Sequence, residues 1–133
     1  LFFEINNYVS KLMDKTTYQI EIEEEHHITK KDSPSGTAIM MANDICNNSS
    51  HLKKWVKKDR LHGFEKSEIP IISKRIGKTK GEHIVKYFSK IDEIKISHKA
   101  YNRIGFANGA ILAAEFIKDK TGVFTMKDVI NNL

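Results

Sequence analysis

The sequence predicts an α+β fold, with a mixed or mainly antiparallel sheet of about four strands and helices on one face. Three observations predict it. The hydrophobic period runs helix, strand, helix, three strands, helix along the chain, rather than in regular strand–helix alternation. The last three strands are separated by short turns, which suggests antiparallel hairpins. No internal repeat or low-complexity linker breaks the 133 residues, so 1–133 reads as one domain.

Each element has its own pattern. Phe2, Ile5, Val9, Leu12 and Met13 recur at helical spacing, which predicts an amphipathic helix over 1–14. Tyr18, Ile20 and Ile22 alternate with Gln19, Glu21 and Glu23, as in a strand with one buried face that runs on into Glu25-His26-His27. Residues 28–36 have loop composition, punctuated by Pro34 and Gly36. A helix follows from Thr37 with Ala38, Met41, Ala42 and Ile45 on one stripe, ending by Asn47–Ser50, and 51–59 reads as a further helix. Gly63–Glu68 is a connector. Pro70–Arg75, Glu82–Phe88 and Asp92–His98 read as strands, turned by Gly77–Gly81 and Ser89–Asp92. Phe106–Ile117 is a helix apolar on more than one face, stopped near Gly122, and Met126–Leu133 a short terminal one.

Composition narrows the function. Hydrophobic residues make up 40% and charged ones 29%, enough for a packed core. No run approaches the roughly 18 apolar residues of a membrane span, and Leu1-Phe2-Phe3-Glu4 does not read as a secretory signal, so none is expected. A single Cys46 excludes an internal disulfide framework and fits a reducing cytoplasm. The net charge of +5 is compatible with an anionic partner. Lys53, Lys54, Lys57, Lys58 and Arg60 around Trp55 read as a solvated helix face; no finger, helix-turn-helix or RNP pattern accompanies them. The chain is also short for a nicotinamide-dependent enzyme that must hold both a dinucleotide fold and a substrate site.

The segment richest in chemistry is Glu25-His26-His27-Ile28-Thr29-Lys30-Lys31-Asp32-Ser33-Pro34-Ser35-Gly36-Thr37-Ala38. Ser35 and Gly36 stand just before a helical stripe, where free backbone N–H groups and the helix dipole attract anions. Gly36 admits close approach and Thr37 adds a hydroxyl; the plainer reading is an N-cap by Ser35. A histidine with an ordinary pKa of about 6.5 can move protons near neutrality. Lys30 can act as a charged donor or a carboxylate clamp. Together they suit an anionic substrate that also needs a proton. A metal set drawn from Glu25, His26, His27, His83 and His98 matches no zinc spacing, so no metal is expected.

Taken whole, this string resembles the signature of the dihydrodipicolinate reductase family, Glu-x-His-His or Glu-His-His followed by x-x-Lys-x-Asp-Ala-Pro-Ser-Gly-Thr-Ala. Arg75-Ile76-Gly77, Gly81-Glu82-His83, His98-Lys99-Ala100, Arg103, Phe106-Ala107-Asn108-Gly109-Ala110 and Met126-Lys127-Asp128-Val129 resemble further family segments in the same order. The resemblance covers nearly the whole chain. It implies an NADH- or NADPH-dependent reduction of a cyclic dicarboxylate, 4-hydroxy-tetrahydrodipicolinate, to tetrahydrodipicolinate on the route to diaminopimelate and lysine. It further implies that His26 gives or takes a proton, that Lys30 donates one, and that His27, Ser35, Gly36 and Thr37 bind substrate. Ile28, Thr29 and Ser33 depart from the commonest family residues without removing a named group. His83, His98 and Arg103 match family positions and are expected to satisfy hydrogen bonds.

The family also implies an N-terminal dinucleotide domain, yet none of the seven glycines forms the Gly-rich turn of such a domain. The chain is therefore expected to be the C-terminal substrate-binding and oligomerisation portion, binding no cofactor itself and lacking hydride transfer alone. Helices over about 105–133 are expected to pack on the N-terminal domain, and the sheet to support a homotetramer. Two other readings remain at this level: a non-enzymatic module binding anions or nucleic acid through the basic loop, and a hydrolase or lyase using His26 as base.

Overall fold

The computed structural model describes residues 1–58 and 65–133. In chain order these form α1 (Phe2–Met13), β1 (Gln19–His26), α2 (Gly36–Asn48), β2 (Lys54–Lys57), β3 (Glu68–Arg75), β4 (Glu82–Phe88), β5 (Glu93–Lys99), α3 (Ile104–Ile117) and α4 (Met126–Ile130). The class is α+β, as expected, with five strands rather than about four.

The sheet runs β2-β3-β1-β4-β5. β1 lies at its centre, parallel to β3 and antiparallel to β4. β2 is parallel to β3, and β4 is antiparallel to β5. Parallel neighbours require a crossover. Between β1 and β3 that crossover contains α2 and β2.

Two expectations need correction. Residues 54–57 form a strand, not part of a helix over 51–59. Trp55 and Val56 have strand-forming side chains; Trp55 pairs with Ile69 in register, and its ring nitrogen donates to Asn43 Oδ1 at 3.1 Å. The basic cluster thus lies on and beside an edge strand, with Lys54 paired to Glu68 at 3.0 Å. Asp59, Arg60, and the connector residues Gly63 and Phe64 lie outside the described residues. Further, β3 and β4 are not a hairpin, because β1 lies between them. Only β4–β5 keeps the expected hairpin, since short spacing limits how strands connect and not which strand pairs with which.

One face of the sheet carries Ile22, Ile69, Ile71, Val85 and Tyr87, all 0% exposed, beneath Ala38, Met41, Ala42 and Ile45 of α2. Burial of Met41 and Ile45 contributes roughly 2 kcal/mol each. α1 packs on α2 through a polar seam. Asn6 Nδ2 donates to Met41 O at 3.2 Å, and Asn48 Nδ2 donates to Asn7 Oδ1 and Ser10 Oγ at 2.6 and 2.8 Å. This seam rotates α1 from the orientation its apolar stripe suggests. Phe2, Val9 and Met13 touch the core, while Ile5 and Leu12 stay exposed.

The opposite sheet face is charged. Glu21 and Glu23 of β1 meet Lys58 and Lys74 on one side and Lys86 on the other. Such pairs at a surface contribute little individually. In the C-terminal segment no residue of α3 is buried, Phe116 stacks edge-on against Phe124, and Val129 of α4 is buried.

Candidate functional site

β1 delivers the chemistry. Strand side chains alternate, so Ile22, Glu24 and His26 point to the covered face, and all three are buried. Glu25 points the other way and accepts from Thr79 Oγ1 at 2.8 Å. His26 Nδ1 lies 2.5 Å from Glu24 Oε2. Arg75, opposite His26 on β3, donates to the same carboxylate from both terminal nitrogens, at 3.0 and 2.9 Å. The backbone N–H of Ser35 adds a bond of 3.2 Å to Glu24 Oε1.

Burial pushes the Glu24 carboxyl up. The Arg75 guanidinium leads the hydrogen bonds that outweigh this, and the net result lies below the ordinary carboxylate range. Glu24 is therefore ionised at neutral pH and accepts every one of these bonds. Arg75 also holds the loop that follows β1, donating to Asp32 O at 2.6 Å and Lys30 O at 3.4 Å.

Ser35 caps α2, its hydroxyl accepting from Ala38 N at 3.2 Å. The same hydroxyl lies 2.9 Å from His83 Nε2, whose ring stands edge-on to that of His26 with centroids 5.0 Å apart. The cap leaves the N–H groups of Gly36 and Thr37 without partners among the described residues. Gly36 is exposed and Thr37 half-buried, so both can reach a ligand. A helix start with unpaired N–H groups favours an anion.

The expected site residues fall into three groups. His26 and Ser35 meet around Glu24 and His83, with Gly36 and Thr37 next along α2. Lys30 is paired with Asp32, both carboxylate oxygens at 2.7 Å from Nζ. His27 bonds to Thr29 Oγ1 at 2.7 Å and lines a cleft of about 330 Å³ together with Lys78, Lys80 and Arg103. Three cations in one cleft favour an anionic occupant.

Sequence reasoning missed Glu24. It sits two residues before His26, hence on the same strand face; the Glu-x-His-His form places its Glu there, but the segment read for chemistry began at Glu25. Arg75 was noticed only as part of a family segment. Glu24, His26 and His83 place donor atoms within 4.8 Å of one another. Arg75 already occupies both Glu24 oxygens, so a metal ion would have to displace a guanidinium; the set suits a hydrogen-bond network better. Burial raises the Cys46 thiol, which is inconsistent with an activated nucleophile.

Burial, then His26, lowers the His83 imidazole from 6.5 to about 4; Glu24 opposes this, and His98 and Lys30 reinforce it. His83 is thus neutral when folded, while the unfolded chain takes up its proton below about pH 6.5. Stability is complete above that pH and is lost as pH falls towards 4, by up to roughly 3 kcal/mol. Urea titrations at pH 7 and 4.5 are expected to show a smaller acid loss in His83→Gln than in the parent. An equal loss would remove His83 as the cause.

Residues 1–130 match the family model described as "Dihydrodipicolinate reductase, C-terminus". A 4-hydroxy-tetrahydrodipicolinate reductase from Christiangramia forsetii is 48% identical over 134 residues, which cover 100% of this chain and 54% of the relative. One from Methanocorpusculum labreanum is 37% identical, covering 98% of this chain and 51% of the relative. The chain spans about half the length of the curated relatives it matches. A solved structure, dipicolinate-bound dihydrodipicolinate reductase from Paenisporosarcina sp. TG-14, superposes with a TM-score of 0.62 over 84% of this chain and 44% of that one. At 23% identity that likeness speaks for the fold.

Proposed function

The chain belongs to the dihydrodipicolinate reductase C-terminal family, and from that premise we propose that it is the substrate-binding and assembly portion of an NADH- or NADPH-dependent reductase. The substrate in this reading is 4-hydroxy-tetrahydrodipicolinate, a cyclic dicarboxylate, which takes up a hydride and a proton and loses its 4-hydroxyl as water to give tetrahydrodipicolinate on the route to diaminopimelate and lysine. The observation that carries the reading is the unpaired N-terminus of α2 standing beside a histidine held by a buried carboxylate.

The division of labour follows from the residues. The N–H groups of Gly36 and Thr37, with the Thr37 hydroxyl, hold one substrate carboxylate at the positive end of α2. His27 contacts the substrate from the cationic cleft. His26 exchanges a proton through its imidazole, and Lys30 delivers one from its ammonium once Asp32 is released. The nicotinamide cofactor supplies the hydride. Its phosphates need a Gly-rich strand-to-helix turn, and the junctions entering α2 and α3, Ser35-Gly36-Thr37 and Asn102-Arg103-Ile104-Gly105, are not of that kind. The cofactor site is assigned to a separate N-terminal domain, on which α3 and α4 pack, and the 133 residues alone are expected to be inactive. The working location is the cytoplasm. No helix among the described residues is long and apolar enough to cross a membrane.

Calorimetry with pyridine-2,6-dicarboxylate tests the site. His27→Ala and Thr37→Ala are each expected to weaken binding about tenfold, equivalent to about 1.4 kcal/mol. Tighter binding of an oligonucleotide with a steep salt slope, and no response to the dicarboxylate, would favour a nucleic-acid module instead. The charged sheet face, with its neighbouring strands, is assigned to homotetramer formation. Light scattering of the intact protein is expected to give a tetramer's mass; a strict monomer at working concentration counts against that assignment.

A further inference from the structure

We propose that Glu24 is a positioning residue for the acid–base histidine, fixing which nitrogen of His26 carries the proton and tying that ring to the start of α2. The inference rests on the reading of His26 given above and extends it to Glu24, the Glu of the Glu-x-His-His form, to which the sequence reading gave no role.

The Glu24 side chain is 0% exposed. Removing a carboxylate from water is costly, and Arg75 offsets this with its paired hydrogen bonds. A purely structural ion pair would be complete with Arg75 and the neighbouring Ser73 hydroxyl, which also lowers the carboxyl pKa. Glu24 in addition bonds twice into the site, to Nδ1 of His26 at 2.5 Å and the Ser35 N–H at 3.2 Å. With Arg75 holding it ionised, Glu24 has no proton to give. The hydrogen in the Glu24–His26 bond therefore belongs to Nδ1, and a neutral His26 presents Nε2 as a bare acceptor.

The environment of Nε2 agrees. A Cβ placed on Gly81 would lie 3.2 Å from Nε2, and Gly81 has φ 149°, a conformation that L side chains rarely adopt. The backbone thus leaves space beside the reactive nitrogen. His83 bonds to Ser35 and not to His26, so Glu24 is the hydrogen-bond partner of the His26 ring among the described residues. One carboxylate therefore sets the histidine and, through the Ser35 N–H, the residue that caps the anion-binding helix.

The test uses the full-length protein. Magic-angle-spinning NMR of the histidine-labelled parent at pH 8 is expected to show His26 as the Nδ1–H tautomer. An Nε2–H tautomer overturns the proposal, and this measurement needs no variant. In kinetics, Glu24→Gln is expected to lower kcat about 10- to 100-fold, with KM and the Kd for pyridine-2,6-dicarboxylate within threefold of the parent. In a His26→Ala background the same change is expected to lower kcat less than twofold. Equal losses in both backgrounds, or a folded Glu24→Gln enzyme with unchanged kcat, overturn the positioning role. If His26→Ala alone retains parental turnover, the proton-transfer reading of His26 fails instead, a result separable from the tautomer.

Discussion

Arg75→Met is expected to destabilise the domain by about 3–5 kcal/mol, the cost of leaving a buried charge without its partner. Glu24 is fully buried, while Arg75 retains a partly exposed side chain, so losing the guanidinium strands the carboxylate rather than the reverse. The effect carries a pH signature. In the parent the folded Glu24 carboxyl is held below its ordinary value, so its pairing stabilises the fold above the unfolded carboxyl pKa and is lost as pH falls through the folded one. Without Arg75, protonating Glu24 relieves the stranded charge. The deficit of Arg75→Met is therefore expected to be largest at neutral pH and to shrink towards pH 5. Glu24→Gln combined with Arg75→Met is expected to recover part of the loss, because both charges are then gone. Guanidinium titrations of the four proteins measure these differences. A loss below about 1 kcal/mol at pH 7 would mean that water or another cation screens Glu24.

This ion pair also shows where sequence reading reaches its limit. The strand over Tyr18–His26 and the stripe Ala38, Met41, Ala42 and Ile45 were legible because burial leaves a local period. So was the α2 N-terminus, since Ser35 and Gly36 immediately precede that stripe. The pairing of β1 with β3 was not legible. It depends on a crossover that leaves no local trace, and the short loop between β3 and β4 suggested a hairpin that β1 prevents. The Glu24–Arg75 contact fails for the same reason, since its partners are 51 residues apart and meet only through the parallel register. β2 was lost among lysines, because four residues at a sheet edge bury too little to show alternation. The orientation of α1 was hidden because a polar seam of Asn6, Asn7, Ser10 and Asn48 sets it, not the apolar stripe.

Lys30→Ala in the full-length protein is expected to lower kcat by about 10²- to 10⁴-fold, the usual contribution of a positioned proton donor. The lysine is well placed to change partners. Its ammonium is paired with Asp32, whose side chain is 59% exposed, so the pair is wet and contributes little to stability. Its backbone is better fixed, because Arg75 bonds to Lys30 O and Asp32 O. An arriving dicarboxylate can therefore draw the ammonium from Asp32 without unfolding the loop. Two consequences separate a proton donor from a simple anchor. An anchor lost to alanine raises KM and leaves kcat near the parent's; a donor lost to alanine lowers kcat itself. Asp32→Asn, which keeps the loop and releases the ammonium, is expected to change kcat less than threefold. His26→Ala is expected to fall as far as Lys30→Ala and to alter the pH–rate profile, since the proposed mechanism gives each residue its own proton. Thermal melts within a few degrees of the parent show that the loop has survived each change. Turnover near that of the parent in folded Lys30→Ala or His26→Ala would remove that residue from proton transfer and leave the α2 N-terminus as a binding site alone.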